Sequence, residues 1–93
     1  LQIFRDSGLQ LINYSDPQVE KNYINTIQQI DGVNQVNAID VQYSGSLVAL
    51  SLVIAVSPRM TVAASFQLSE RIEQVMRNQY GIIDTKVMFM PQT

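Results

Sequence analysis

The chain has 93 residues, of which 46% are hydrophobic and 15% charged, with a formal net charge of −2. It contains no Cys, His or Trp, which excludes disulfides, thiolate or imidazole metal sites and every nucleophile–histidine pair within it. Six Lys/Arg scattered singly among eight Asp/Glu build no basic face for nucleic-acid phosphates. The longest apolar run, residues 47–56, is about half of the ~20 residues a membrane-spanning helix needs.

Residues 1–15 mix Leu1, Ile3, Phe4, Leu9, Leu11 and Ile12 with Arg5 and Asp6, and read as a helical lead-in. Leu1 in place of an initiator Met suggests a piece of something longer. Ser15-Asp16-Pro17 then signals a helix start: Asp16 accepts first-turn amide hydrogens, and Pro17 loses no hydrogen bond at the first helical position. Val19, Tyr23, Ile27 and Ile30 form one stripe, and Gly32 is the expected left-handed terminator, giving a helix near residues 17–30.

Ile39, Val41 and Tyr43 alternate with Asp40 and Gln42 as a half-buried strand does. A turn at Ser44-Gly45-Ser46 joins it to a second strand, making an antiparallel hairpin. In that second strand Leu50, Leu52, Ile54 and Val56 share one face, and mostly small residues (Ala49, Ser51, Val53, Ala55) share the other. The bulky face is expected to be covered, and the small one can be closely approached. Thr61 can cap a second helix whose expected inner stripe is Val62, Phe66, Ser69, Ile72, Val75 and Met76, ended by Gly81. Ile83, Thr85, Val87 and Phe89 then alternate with Asp84, Lys86, Met88 and Met90 in a last strand, until Pro91 forbids further pairing. The order helix–strand–strand–helix–strand packs most simply as an α+β, ferredoxin-like αββαβ sandwich, with a three-stranded, mostly antiparallel sheet and two helices on one face.

Without Cys or His, the remaining hard-cation ligands are carboxylates. Glu70 and Glu73, three apart on the second helix, can share a divalent cation, with Asp84 as a candidate third ligand. More often such a pair is a solvated helix face, here screened by Arg71 and Arg77. High-affinity metal binding is therefore not expected, and a weakly held divalent cation is the most that these residues offer. Asp31-Gly32 lacks the alternating oxygen ligands of a calcium loop. Met76, Met88 and Met90 fit core filler better than thioether ligation. No pair of carboxylates is placed for general acid–base work, so an enzyme is not expected, and no cofactor is.

Several segments in order carry a family resemblance: Ile30-Asp31-Gly32-Val33, the Gly45 turn, the apolar 50–56 strand, Ser57-Pro58-Arg59-Met60-Thr61-Val62, the Ile72-Glu73 helix and the closing Pro91. Upstream, Arg5-Asp6-Ser7 and Leu11-Ile12-Asn13 look like the segment that leaves a last transmembrane helix. Together they resemble the cytoplasmic C-terminal domain of the cation diffusion facilitator (cation efflux) transporters. The resemblance implies residues 1–15 as a lead-in from a membrane domain and residues 16–93 as a cytoplasmic regulatory and dimerisation domain. It also implies a homodimer joined to the membrane domain of the same polypeptide. The full-length protein would be an integral membrane protein that exports zinc, manganese, iron or cobalt by proton exchange, with this part soluble at the cytoplasmic face.

The resemblance also marks a departure. The family's soluble-domain histidines fall at what are here Asn37, Val53, Phe66 and Met88, its acidic ligand before the terminal Pro is Met90, and Asn13 stands where many members carry an Asp. Val53, Phe66 and Met88 hold zinc poorly, so the family's inter-subunit zinc site is expected to be absent. Two other readings stay open on the residues alone: a small-molecule-binding ferredoxin-like regulatory domain, and a plain oligomerisation module.

Overall fold

A computed structural model of the protein describes residues 16–93. The lead-in expected over residues 1–15 lies outside them. Asp16 opens helix α1 (Pro17–Gln28) by accepting the Gln18 N–H at 2.9 Å, with Pro17 in the first turn. The helix stops at Gln28, earlier than the periodicity predicts. Gln29 still has right-handed backbone (φ −82), and Gly32 takes its positive φ of 99 in the turn that follows. Gly32 therefore shapes the exit turn rather than the helix cap. An added Cβ there would sit 3.3 Å from Leu68 Cδ2, so the position is restricted by a close approach as well as by its backbone.

Strand β1 (Gln35–Ser44) pairs antiparallel with β2 (Leu47–Val56) across a two-residue Gly45-Ser46 turn. Gly45 supplies the positive φ (62) that primed hairpin turns require. The register slips between Val36 and Ala38, leaving Asn37 as an extra residue in β1. Helix α2 (Val62–Tyr80) begins where Thr61 Oγ1 accepts the Ala64 N–H at 3.0 Å. It ends at Gly81 in the left-handed conformation (φ 71), whose N–H reaches Arg77 O at 2.9 Å.

The chain then returns as β3 (Asp84–Pro91) alongside β2, in the order β1-β2-β3. The fold is the ferredoxin-like α+β arrangement. Its sheet is mixed rather than mostly antiparallel: β1 runs against β2, while β3 runs with it, because α2 carries the chain back to the starting end before β3 begins. Pro91 does not stop the pairing either. It lies on an edge strand where its missing N–H is not needed, and Gln92 N–H still reaches Val56 O at 2.8 Å.

Both helices cover one face of the sheet. Leu50, Leu52, Ile54 and Val56 of β2 are buried against Tyr23, Ile27 and Ile30 from α1 and its exit turn, and against Leu68, Ile72 and Met76 from α2. The buried stripe of α2 follows i, i+4, i+8 from Leu68, which shifts it away from the expected Val62 and Phe66. Those two are 86% and 63% exposed; the start of α2 lies beside the edge strand β3, where Val62 and Ser65 share a groove with Phe89 and Met90.

Candidate functional site

The face of the sheet opposite the helices has no second layer among the described residues. Strand alternation sends Ala49, Ser51, Val53 and Ala55 there from the central strand, and their small size leaves a flat floor. The register lays neighbours from the edge strands across it in rows. One row is Ala38–Val53–Met88, the next Asp40–Ser51–Lys86, and the next Gln42–Ala49–Asp84. Ala38, Asp40, Gln42, Ser51, Lys86 and Met88 are all exposed. Asp40 Oδ2 accepts from Gln42 Nε2 at 3.0 Å, which fixes its carboxylate on the β1 side of this surface.

Toward the far end of the strands the surface turns apolar. Met88 is 64% exposed and Met90 45%. Around the β3 edge Met90 joins Met60, Val62, Phe89 and Pro91 along a shallow groove. An exposed apolar area continuing around a sheet edge marks an interaction surface more often than a scatter of single residues does.

The positions at which the family's histidines and acidic ligand are expected gather on this same surface, with one exception. Met88 is the register partner of Val53, Met90 that of Ala55, and the Asn37 amide at the bulge lies 4.0 Å from Met90 Sδ. Phe66 stands apart on α2. Two thioethers, one amide and one isopropyl group make no hard or borderline cation site.

The carboxylates read as weak metal candidates are dispersed. Glu70 and Glu73 line one depression with Gln74, Arg77 and Asn78 on the solvent side of α2, and Glu73 Oε2 accepts from Ser69 Oγ at 3.4 Å. Asp84 opens β3 on the other side of the sheet. Among the described residues no three Asp, Glu, His or Cys side chains come together in a metal-binding group.

The helical side carries a second feature, which the sequence pattern does not show. Tyr80 packs its ring on Tyr23, and its hydroxyl lies 2.7 Å from Thr26 Oγ1, joining the last turn of α2 to α1. Burial pushes the Tyr23 hydroxyl above its ordinary pKa, and Tyr43 and Tyr80 add to the shift. An open groove between α2 and the turn that follows α1 is lined by Asp31, Gly32, Met60, Leu68 and Arg71.

Residues 16–88 match the family model described as the cytoplasmic domain of the cation efflux protein. The manganese efflux system protein MneS of Bacillus subtilis (strain 168) is 29% identical over 89 residues, covering 96% of this chain and 31% of that protein. The uncharacterized transporter YdbO of the same organism is 24% identical over the same shares. This chain thus spans about a third of the length of these curated relatives. Among solved structures, a histidine-to-alanine variant of MamM-CTD superposes with a TM-score of 0.77 at 18% identity, over 83% of this chain and 98% of that one, a likeness of fold. No helix among the described residues is long and apolar enough to cross a membrane.

Proposed function

The chain belongs to the cation efflux family, as its cytoplasmic domain, and from that premise we propose that it is the regulatory and dimerisation domain of a proton-coupled divalent-cation exporter. Its work is association rather than chemistry: it holds two subunits together below a membrane domain that carries the ion. The observation that carries this reading is the outward sheet face, with Met88 and Met90 exposed at its far end and Val62 beside Met90 along the edge groove. A domain of this size buries only about 60–65% of its unfolded surface, so covering that face by a second subunit adds stability that the isolated fold lacks.

The manganese efflux relative supports manganese as the transported ion. At the sheet face, methionine, valine and asparagine stand where zinc ligands are expected, so subunits join here by packing, without a metal between them. A bound ion shifts a dimer only by its differential affinity for two arrangements. A seam without ligands therefore acts as a standing clamp, and regulation by metal would pass through weaker carboxylate contacts such as Glu70 and Glu73. Sedimentation equilibrium of residues 1–93 at micromolar protein tests the reading. A dimer is expected, with no dependence on zinc or manganese; a monomer at every concentration, or a dimer that forms only with metal, would overturn it.

A further inference from the structure

The end of the sheet where β2 and β3 begin carries a second exposed apolar cluster, at the opposite end from Met88 and Met90. Tyr43 and Leu47 flank the Gly45-Ser46 turn, and Tyr80 and Ile83 bracket the turn from α2 into β3. The register brings the two pairs to one rim: Tyr43 is opposite Val48, and Ile83 directly precedes Asp84, which is opposite Ala49. All four are exposed, Leu47 to 59% and Ile83 to 65%. Large apolar side chains gathered in this way mark a surface that something covers.

Helix α1 begins at this same end. The Tyr80 hydroxyl at the end of α2 lies against Asn22 O and Thr26 Oγ1, whereas the exit turn of α1 approaches Leu68 at Gly32. Residues 1–15 therefore join the fold at Asp16, beside the rim. From Asp16 to Asn22 the helix rises about 9 Å. Ile12, four residues before Asp16, has up to about 14 Å of chain with which to return to the level of Tyr80 and Ile83. Leu11 and Leu9 follow it closely. A segment on so short a tether meets the rim at an effective concentration of about millimolar, which few free partners match. An anionic lipid surface is a poorer occupant, because Asp16, Glu20 and Asp84 outnumber Lys21 and Arg77 at this end.

We propose that this rim is the docking site of the chain's own residues 9–12, with Leu9, Leu11 and Ile12 covering Tyr43, Leu47 and Ile83. Docked there, the lead-in is fastened to the sheet as well as to α1, so a displacement of the chain upstream is passed into β2 and β3 directly. The inference concerns contacts within one chain and stands whether or not the domain dimerises.

A tryptophan reporter tests it, since the chain has none. In Ile12→Trp, emission should lie at shorter wavelength than that of a solvent-exposed tryptophan. Acrylamide quenching should be several-fold weaker than in the same chain carrying Leu47→Asp and Ile83→Asp, two exposed positions at which circular dichroism should show the fold kept. As a second readout needing no substitution, methyl-labelled native chain should give nuclear Overhauser contacts between Ile12 and Ile83. Adding Met88→Asp, which lies at the other end of the sheet, should leave the tryptophan emission unchanged at every protein concentration. A solvent-exposed tryptophan, quenching indifferent to the Leu47 and Ile83 changes, or absence of the Ile12–Ile83 contact would overturn the proposal. A blue shift that grows with concentration in the Met88→Asp chain would assign the rim to a second copy and overturn it as well. None of these outcomes bears on whether the outward sheet face joins two subunits, which sedimentation decides separately.

Discussion

Tyr80 stands edge-on to Tyr23, with ring centroids 4.8 Å apart at 75°, and its hydroxyl lies 2.7 Å from Thr26 Oγ1. This contact fastens the last turn of α2 to the middle of α1, on the layer that backs the sheet. Tyr80→Phe keeps the ring pair and loses the hydroxyl contact, which should cost about 0.5–1 kcal/mol in a urea melt. Tyr80→Ala also loses the aromatic packing and should cost about 2 kcal/mol. Equal losses for the two variants would show that the ring contributes nothing.

Burial of Tyr23 predicts weakening in alkali. Its folded pKa lies above the ordinary tyrosine value of about 10. In the unfolded chain the hydroxyl loses its proton first, so the contribution is whole below that value and declines as pH rises from it toward the raised one. Chemical denaturation across this window should show a falling midpoint, and Tyr23→Phe should reduce the slope. A midpoint independent of pH there would contradict the assignment.

Ile54 is fully buried between the sheet and both helices. Ile54→Ala should cost about 2–5 kcal/mol through lost burial and a residual cavity. Ile54→Asp should abolish the fold, because its charge has no partner in the apolar core. Circular dichroism reads both, and a folded Ile54→Asp would mean that the inner face of β2 had been inverted.

Zinc should bind the native domain no more tightly than micromolar, and calorimetric titration that finds a sub-micromolar site would contradict this. The same scaffold should accept a site once ligands are supplied. Val53 and Met88 are cross-strand neighbours, and Met90 lies beside the Asn37 bulge. The combined change Val53→His, Met88→His and Met90→Asp should give zinc-dependent thermal stabilisation, about 2.7 kcal/mol when zinc is 100 times the dissociation constant. No shift in Tm with zinc would mean that these positions do not converge.

The sandwich was legible because its signals are local. Asp16-Pro17, Thr61, Gly45 and Gly81 each set a boundary through capping or positive φ, and the alternation in β2 assigned its bulky side chains to the core. What failed depended on tertiary position. Val62 and Phe66 satisfy a helical stripe, yet α2 begins beside the β3 edge, where nothing among the described residues covers them. The stop at Gln28 was hidden because Gly32 looks like a helix cap and works as a turn. The small residues of β2 pointed to a surface open to close approach, but the pairing of Asp40 with Ser51 and Lys86 into one row needs the register, which a single chain's periodicity does not contain.

The proposed function depends on the outward sheet face joining two subunits. Met88→Asp puts a charge at the apolar far end of that face, at a residue 64% exposed in one subunit, where it should leave the monomer fold intact by circular dichroism. Sedimentation equilibrium of this variant beside the native domain is the direct measurement. A native dimer and a folded, monomeric Met88→Asp variant are predicted; a variant that dimerises as strongly as the native chain would contradict the claim.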